Sequence, residues 1–347
     1  MKTKKNAESV GAAVIGLGRG KALVRALDKA VGAELLAVCD INKDLVEEIA
    51  EEYETAAYTD YREMIERDDI GLVCVCTPSG MHMEMAMDCA REGKHVLSEK
   101  PLDIDLDIID RALKLFEEKK LTLGCIFQNR FLNINRKKKE IAGSGKLGRL
   151  IFANAHIKWY RAQEYYERNG GWRGTWEQDG GGSLMNQSVH TIDLMQWIMG
   201  PVSSVVGQTR IWSHDIETED MGVALVKFKS GALGTIVGST ATYPGFGTTL
   251  DIHGVNGGIC NNILKYKNES GEDEEIPLAD LEMEEAGASD PEAIGSDTTY
   301  FQVQDMVDAV REGRDHLLSG REARNAVEII LAVYESARRG KEVFLPL

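Results

Sequence analysis

The first 125 residues swing between two hydrophobic periods, and that alternation restricts the chain to one broad class of fold. Short apolar runs at 11–16, 33–40, 72–76, 95–97 and 122–127 have the length and composition of buried strands. A further short strand is expected at 56–58. Between them lie amphipathic stretches of helical period at 19–30, 43–53, 61–66, 81–91 and 106–119. Strands apolar on both faces and separated by helices pair in parallel, with helices covering the sheet. Beyond residue 147 the pattern changes. Segments 150–159, 205–212, 221–228, 232–240 and 248–253 read as strands separated by turn residues such as Lys229-Ser230-Gly231, the mark of antiparallel pairing. A helix is predicted over 184–199, stopped by Gly200-Pro201, and two more over 300–312 and 320–339 close the chain. The expected fold is α/β: a doubly wound parallel sheet over residues 1–127, then an α+β domain over 128–347 with a largely antiparallel sheet. The last helices can pack back on the first domain.

The turn after the first apolar run sharpens this expectation. Val14-Ile15-Gly16-Leu17-Gly18-Arg19-Gly20 leaves a strand and opens a helix. Glycines there permit a tight turn and a close backbone approach to a pyrophosphate, which a helix N-terminus attracts. The usual spacing puts a third glycine at position 21, where Lys21 stands, with Gly20 one place early. Either the loop is a residue short or Lys21 lies beside the phosphates. Asp40 closes the second strand at the distance expected of the acid that hydrogen-bonds an adenosine ribose. A carboxylate there repels a 2′-phosphate, so the expected cofactor is NAD rather than NADP. Without the glycine turn, Asp40 reads equally as the start of a bend before Asn42. Thr77 and Pro78 end another strand at the edge where the ligand crevice of such a sheet opens, and His82 follows them.

A net charge of −16, from 56 acidic against 40 Lys and Arg residues, argues against a nucleic-acid binder, because phosphate contacts need clustered cations. The single basic run, Lys137-Lys138-Lys139, reads as a solvated helix face. No apolar stretch reaches the roughly 20 residues of a membrane span, and the start lacks the apolar core of a signal peptide. Six cysteines, at 39, 74, 76, 89, 125 and 260, fall mostly in apolar runs without Cys-x-x-Cys spacing. They read as buried reduced thiols, not disulfides or metal ligands. A cytoplasmic protein without a metal is expected. The acidic stretch 268–297 reads as a surface excursion with a weak hairpin at best.

Two motifs carry the chemistry. Ser98-Glu99-Lys100-Pro101 closes the run 95–97, and Gly180-Gly181-Gly182 leads into the predicted helix that bears Asn186, His190 and Asp193 at helical spacing on one side. Oxidising a carbinol needs a group to take the hydroxyl proton while hydride leaves. His190 titrates near working pH and suits that role. Lys100 can stabilise negative charge on the oxygen, or act as the base if its surroundings depress it. Asn186 can orient a hydroxyl or the lysine but takes no proton, and Asp193 is placed to orient the imidazole. The bland alternative is a structural His190–Asp193 bond in the packing. Trp172 and Arg173, in a glycine-rich run, read either as an aromatic plug and a surface charge or as a loop over a cofactor.

On these residues the chain resembles the Gfo/Idh/MocA oxidoreductases, relatives of glucose–fructose oxidoreductase and inositol dehydrogenase. The resemblance runs through the 14–20 turn, Glu99-Lys100-Pro101, Gln128-Asn129-Arg130-Phe131, segment 180–193 and the ending 320–337. It implies Lys100 and His190 as the catalytic pair, with Asn186 where an aspartate usually stands. It implies a Rossmann domain with cofactor contacts from Gly16, Gly18, Arg19, Asp40, Ile41, Thr77, Pro78, His82, Glu99, Lys100, Asn129, Trp172 and Arg173. Substrate contacts fall to Lys100, Tyr160, Asn186, His190 and Tyr243. Segment 170–197 is similar to members acting on sugars, including those oxidising UDP-linked N-acetylated sugar acids. The resemblance also implies homodimers or homotetramers paired through the open face of the second sheet.

The implied activity is NAD(H)-dependent interconversion of a hydroxyl and a ketone on a pyranose sugar, a sugar derivative (nucleotide-linked among the candidates) or a cyclic polyol. Lys100 would polarise the oxygen, His190 exchange the proton and Asn186 fix the hydroxyl, the two motifs meeting at the nicotinamide. A second expectation is an NAD-dependent glycoside-cleaving enzyme, in which a transient ketone acidifies a neighbouring C–H for elimination. Tyr160, Tyr243 and Asp179 are then candidates for the extra acid or base. A third is a non-catalytic cofactor or sugar sensor.

Overall fold

A computed structural model describes residues 9–268, 270–278 and 297–347. The described residues of Met1–Gln128 and Ser296–Arg324 form one compact unit, and those of Asn129–Gly295 and Asn325–Leu347 a second.

In the first unit the apolar runs pair as six parallel strands: β1 (Val10–Ile15), β2 (Ala33–Cys39), β3 (Ala56–Tyr58), β4 (Leu72–Val75), β5 (His95–Ser98) and β6 (Leu123–Cys125). Their spatial order is β3-β2-β1-β4-β5-β6. The order reverses between β1 and β4, so a crevice opens there at the carboxyl ends of the strands. Every residue of β4 is buried, as a strand covered on both faces requires. Helices α1 (Lys21–Lys29), α2 (Lys43–Tyr53), α3 (Tyr61–Ile65), α4 (His82–Arg91) and α5 (Leu106–Lys119) make the crossovers. Side chains fix several starts: Asn42 accepts from Leu45 N, Asp60 from Arg62 N, and Asp105 from the amides of Asp107 and Ile108. Each such cap contributes about 1 kcal/mol. Leu23, Val24 and Leu27 of α1 pack with Val14, Val38, Cys74 and Leu97 of the sheet. Val303, Met306 and Val307, from the helix Asp297–Glu312, complete that core.

The described residues of the second unit hold α6 (Asn133–Gly143), α7 (Gln163–Glu167), α8 (Val189–Met199) and nine strands. These are β7 (Leu150–Lys158), β8 (Val202–Arg210), β9 (Met221–Phe228), β10 (Leu233–Ser239), β11 (Gly247–Gly254), β12 (Gly257–Cys260), β13 (Ile263–Lys267), β14 (Asp273–Pro277) and β15 (Val343–Phe344). They lie in the order β14-β13-β12-β11-β7-β10-β9-β8-β15, and β7–β10 pair in parallel while the other neighbours are antiparallel. Along β9, Gly222, Ala224, Val226 and Phe228 are buried, whereas Val223, Leu225 and Lys227 face outward. Helix α8 packs on β7 and the turn before it on β10, covering the inner face.

Several expectations need correction. The predicted helix over 184–199 is a π-helical turn, Ser183–Ser188, followed by α8. Lys138 is buried, and Lys139 Nζ donates to Trp197 O and lies over the Trp197 ring, so the basic run is not wholly solvated. Both cations trade solvent for packing because α6 lies against α8. Within the described part of the acidic stretch, β14 pairs as a hairpin with β13, the strand just before the stretch, and residues 279–296 lie outside the described residues. Cys39, Cys74, Cys89 and Cys125 are buried, with burial first and a neighbouring carboxylate second pushing the Cys39 and Cys74 thiols up to about 12, but Cys260 is exposed. No helix among the described residues is long and apolar enough to cross a membrane.

Candidate active site

In the first unit the carboxyl ends of β1, β2, β4 and β5 gather the residues expected at a nucleotide. β1 runs into Gly16, whose φ is +85° and whose added Cβ would lie 2.3 Å from Cys76 O, so only glycine fits. A Cβ on Gly18 would stand in open space, while one on Gly20 would lie 1.9 Å from Gly16 O. Gly20 therefore takes the close-packing place of the third glycine. The loop is a residue short, and Lys21 opens α1. Asp40 Oδ2 accepts from Leu17 N at 2.7 Å and Oδ1 from Asn42 N at 2.8 Å. These two bonds leave room for a ribose hydroxyl, since a carboxylate offers about four acceptor positions. Ile41 beside it is 94% exposed.

Thr77 Oγ1, at the end of β4, is buried and makes no hydrogen bond among the described residues. A ligand polar group would satisfy it. These residues fit a dinucleotide: space over Gly18 and a helix N-terminus for the pyrophosphate, an acid for the ribose, and an orphan hydroxyl in the crevice. The ring of His82 is buried, with Nδ1 2.8 Å from Pro101 O and Nε2 2.9 Å from Thr77 O. Both nitrogens are taken up by backbone, which makes His82 a brace between the Thr77 and Pro101 segments. Glu99 N donates to Val75 O, and Glu99 Oε2 accepts from Lys100 N at 3.1 Å. Lys100 is half-buried, ahead of a cis peptide to Pro101.

In the second unit the π-helical turn alters the geometry read from periodicity. It carries more residues per turn than an α-helix, and Asn186 lies in it while His190 and Asp193 lie in α8. Each has its own setting. Asn186 is buried; its Nδ2 donates to Asp179 Oδ1 at 2.6 Å and its Oδ1 accepts from Gln187 Nε2 at 3.0 Å. His190 is half-buried in the first turn of α8. Asp193 is fully buried, and its two oxygens take the Nε and Nη2 of Arg130, each at 2.7 Å. The Asp193 carboxylate anchors α8 to Arg130, because a guanidinium fork matches both oxygens at once.

Tyr165 OH lies 3.4 Å from Asn186 Oδ1 and accepts from Gln187 Nε2 at 2.6 Å. The Arg173 guanidinium stacks 4.9 Å from the Tyr165 ring and 4.7 Å from the Trp172 ring, and Arg161 lies 5.6 Å from the Tyr165 ring. Asn186 thus sits beside an aromatic cluster carrying two guanidiniums. Tyr160 and Tyr243 meet edge-on at 5.1 Å, with Tyr243 74% exposed. Asn129 is half-buried, its carbonyl accepting from Asn135 Nδ2.

The glycine run has a cause that sequence reasoning did not reach. A Cβ on Gly181 would lie 2.1 Å from Tyr334 OH, and one on Gly182 would lie 1.9 Å from Glu219 O. Both glycines are demanded by the protein's own packing. Glu219 is 3% exposed, accepting from Gly182 N at 3.0 Å, Leu184 N at 2.7 Å and Tyr334 OH at 3.0 Å. It clamps the start of the turn that bears Asn186. The only signal for it in the sequence is an acidic pair, Glu219-Asp220, ahead of an apolar strand.

Burial pushes the Glu219 carboxyl up to about 7, against the opposing pull of its donors. The folded state then holds a proton that the unfolded chain releases above its ordinary value of 4.5. The Glu219 contribution is accordingly full below pH 4.5 and falls as pH rises toward 7, by about 3 kcal/mol on linkage arithmetic. Glu219→Gln is expected to flatten the decline of stability between pH 5 and 7 in urea melts. A slope identical to that of the unmodified chain would refute this assignment.

Comparison with known proteins agrees with both halves of this arrangement. Residues 10–127 match the model of the oxidoreductase family with an NAD-binding Rossmann fold, and residues 135–260 match the GFO/IDH/MocA C-terminal domain. The chain is similar to the WlbA dehydrogenase of Chromobacterium violaceum solved with NADH and UDP-GlcNAcA, at 30% identity and a TM-score of 0.85, covering 100% of this chain and 99% of that one. It is also similar to the WlbA dehydrogenase of Bordetella pertussis in complex with the same two ligands, at 29% identity and a TM-score of 0.84, covering 98% and 99%. A myo-inositol 2-dehydrogenase of Thermotoga maritima is 28% identical, over 71% of this chain and 73% of its own length. The chain therefore belongs to the Gfo/Idh/MocA family of oxidoreductases and is an NAD-binding enzyme of that family.

Proposed function

We propose that the chain interconverts a ring hydroxyl and a ketone on an anionic sugar derivative, with a nucleotide-linked sugar acid as the leading substrate class. The observation that carries this reading is the polar cluster around Asn186, where the Arg173 guanidinium stacks on Tyr165, whose hydroxyl meets Asn186 Oδ1. A planar cation beside a hydroxyl-orienting amide suits a ring that bears a carboxylate or phosphate. The similarity to two enzymes crystallised with UDP-GlcNAcA supports the same class.

NAD, when bound, supplies the hydride acceptor. The chain's own groups do the rest: Lys100 holds the reacting oxygen, His190 exchanges its proton with solvent, and Asn186 orients the hydroxyl. The test is a panel of UDP-GlcNAcA, UDP-GlcNAc, free hexuronic acids and myo-inositol, read as NAD reduction at 340 nm. Turnover is expected to be fastest with UDP-GlcNAcA. Equal or better turnover of myo-inositol would overturn the anionic class, and release of an aglycone without net NADH would favour elimination instead.

The outward face of the nine-stranded sheet supports self-association as part of the same reading. Val206, Val223, Leu225 and Leu233 are 43%, 42%, 62% and 55% exposed there, on adjacent strands, and contiguous apolar patches on a sheet mark interaction sites. Light scattering is expected to give a mass of at least two chains, reduced to one by Leu225→Lys. A monomeric unmodified chain would remove this part of the proposal.

A further inference from the structure

Position 186 carries an amide, and a carboxylate touches it. Asp179 is fully buried in the turn ahead of the three glycines. Its Oδ2 accepts from Gly174 N at 2.9 Å, and its own amide donates to Thr175 O. The carboxylate is thus fixed by the loop that carries it, independently of Asn186. Its Oδ1 then takes Asn186 Nδ2 at 2.6 Å, a short bond of the charge-assisted kind.

An amide beside a carboxylate has one acceptable orientation, because turning its oxygen toward Asp179 would set two acceptors against each other. Asn186 Oδ1 must therefore face away from Asp179. There it accepts from Gln187 Nε2 at 3.0 Å and meets Tyr165 OH at 3.4 Å. The second contact is longer than the 2.5–3.0 Å of an ordinary O–H···O bond. A hydroxyl donor from a substrate can displace it at little cost.

We infer that Asp179 is a positioning residue that locks Asn186 with its amide oxygen presented as the acceptor for the substrate's hydroxyl. The Asp179 charge sits one bond behind Asn186 and acts through orientation, not by taking the proton. The inference rests on the reading of Asn186 as a substrate-orienting group, and its test separates the two. Neither Gln187 nor Tyr165 can impose this lock alone, since each also accepts or donates in the reverse sense.

In the full-length protein one Asn186 side-chain amide proton is expected to resonate downfield and exchange slowly, and to lose both features in Asp179→Asn. Rapid exchange in the unmodified chain overturns the inference without reference to any activity. With UDP-GlcNAcA as probe, Asp179→Asn is expected to lower kcat by roughly 10–100-fold, as loss of a charge-assisted positioning bond does, with KM for NAD unchanged. Wild-type kcat in that variant also overturns it. Should Asp179→Asn fail to fold, the exchange D179N/N186D keeps the pair with the bond reversed. That double variant is expected to fold and to gain a new acid limb in the pH profile of kcat/KM, because an ionisable group then faces the hydroxyl. A wild-type profile would show that position 186 does not meet the substrate. If the unmodified chain turns over no probe, the functional reading fails and the amide exchange alone decides the role of Asp179.

Discussion

Lys100→Met is expected to lower kcat by about three orders of magnitude while leaving NADH affinity within about threefold, the scale at which acid–base and oxyanion-type groups contribute. Methionine keeps most of the unbranched stem and removes only the ammonium, so packing at the end of β5 is preserved. The backbone that places the side chain is held by other contacts: Glu99 N to Val75 O and Lys100 N to Glu99 Oε2. On the proposed reading the nucleotide is gripped elsewhere, at the Gly16–Gly20 turn and Asp40. The deficit should therefore fall on kcat and not on cofactor binding, which is the signature of an interaction made with developing charge on the reacting oxygen. Fluorescence titration of NADH and initial rates with the best panel substrate measure the two quantities. A variant with wild-type kcat would exclude Lys100 from the chemistry. A variant that loses NADH binding in proportion would make it a cofactor anchor instead.

The parts of the fold that were legible in the sequence are those governed by local period. Runs such as Leu72–Val75 are apolar throughout because both faces of the strand are covered, and Gly16 announces itself because its φ excludes other residues. The parts that were not legible depend on partners far along the chain. Asp193 was read only against His190 three residues away, and its two bonds to Arg130, 63 residues earlier, leave no local mark. Glu219 reaches back 35 residues to Leu184 N and draws no attention in its own sequence context. The π-turn Ser183–Ser188 was not legible either, since period-3.6 reasoning has no term for an inserted residue. Asn186, read alone, is an orienting amide that takes no proton. Its carboxylate neighbour lies only seven residues away, but in a glycine-rich loop whose path no periodicity describes.

Arg130→Ala is expected to destabilise the second unit by about 3–5 kcal/mol, the loss measured when one partner of a buried ion pair is removed. The pair is close to ideal in geometry, with two bonds of 2.7 Å and side chains 6% and 0% exposed. Its absolute worth is small, because burying both ions has already cost most of what their attraction returns. The cost of breaking it is large for a different reason: Asp193 would remain fully buried with its charge uncompensated by the fork. The guanidinium also stacks 5.1 Å from the Trp197 ring, so alanine opens a void beside α8 as well. Against a total stability of about 5–15 kcal/mol, the change should lower the thermal midpoint by roughly 10 °C. The double variant R130M/D193L removes both charges and refills the space, and it is expected to regain most of that midpoint. Its recovered fold then isolates the functional question. His190 sits one turn before Asp193 on α8, so if the pair serves to aim the imidazole, the double variant should melt normally and still turn over more slowly. An Arg130→Ala variant melting with the unmodified chain would show that water or another group compensates Asp193, and the anchoring role would fall.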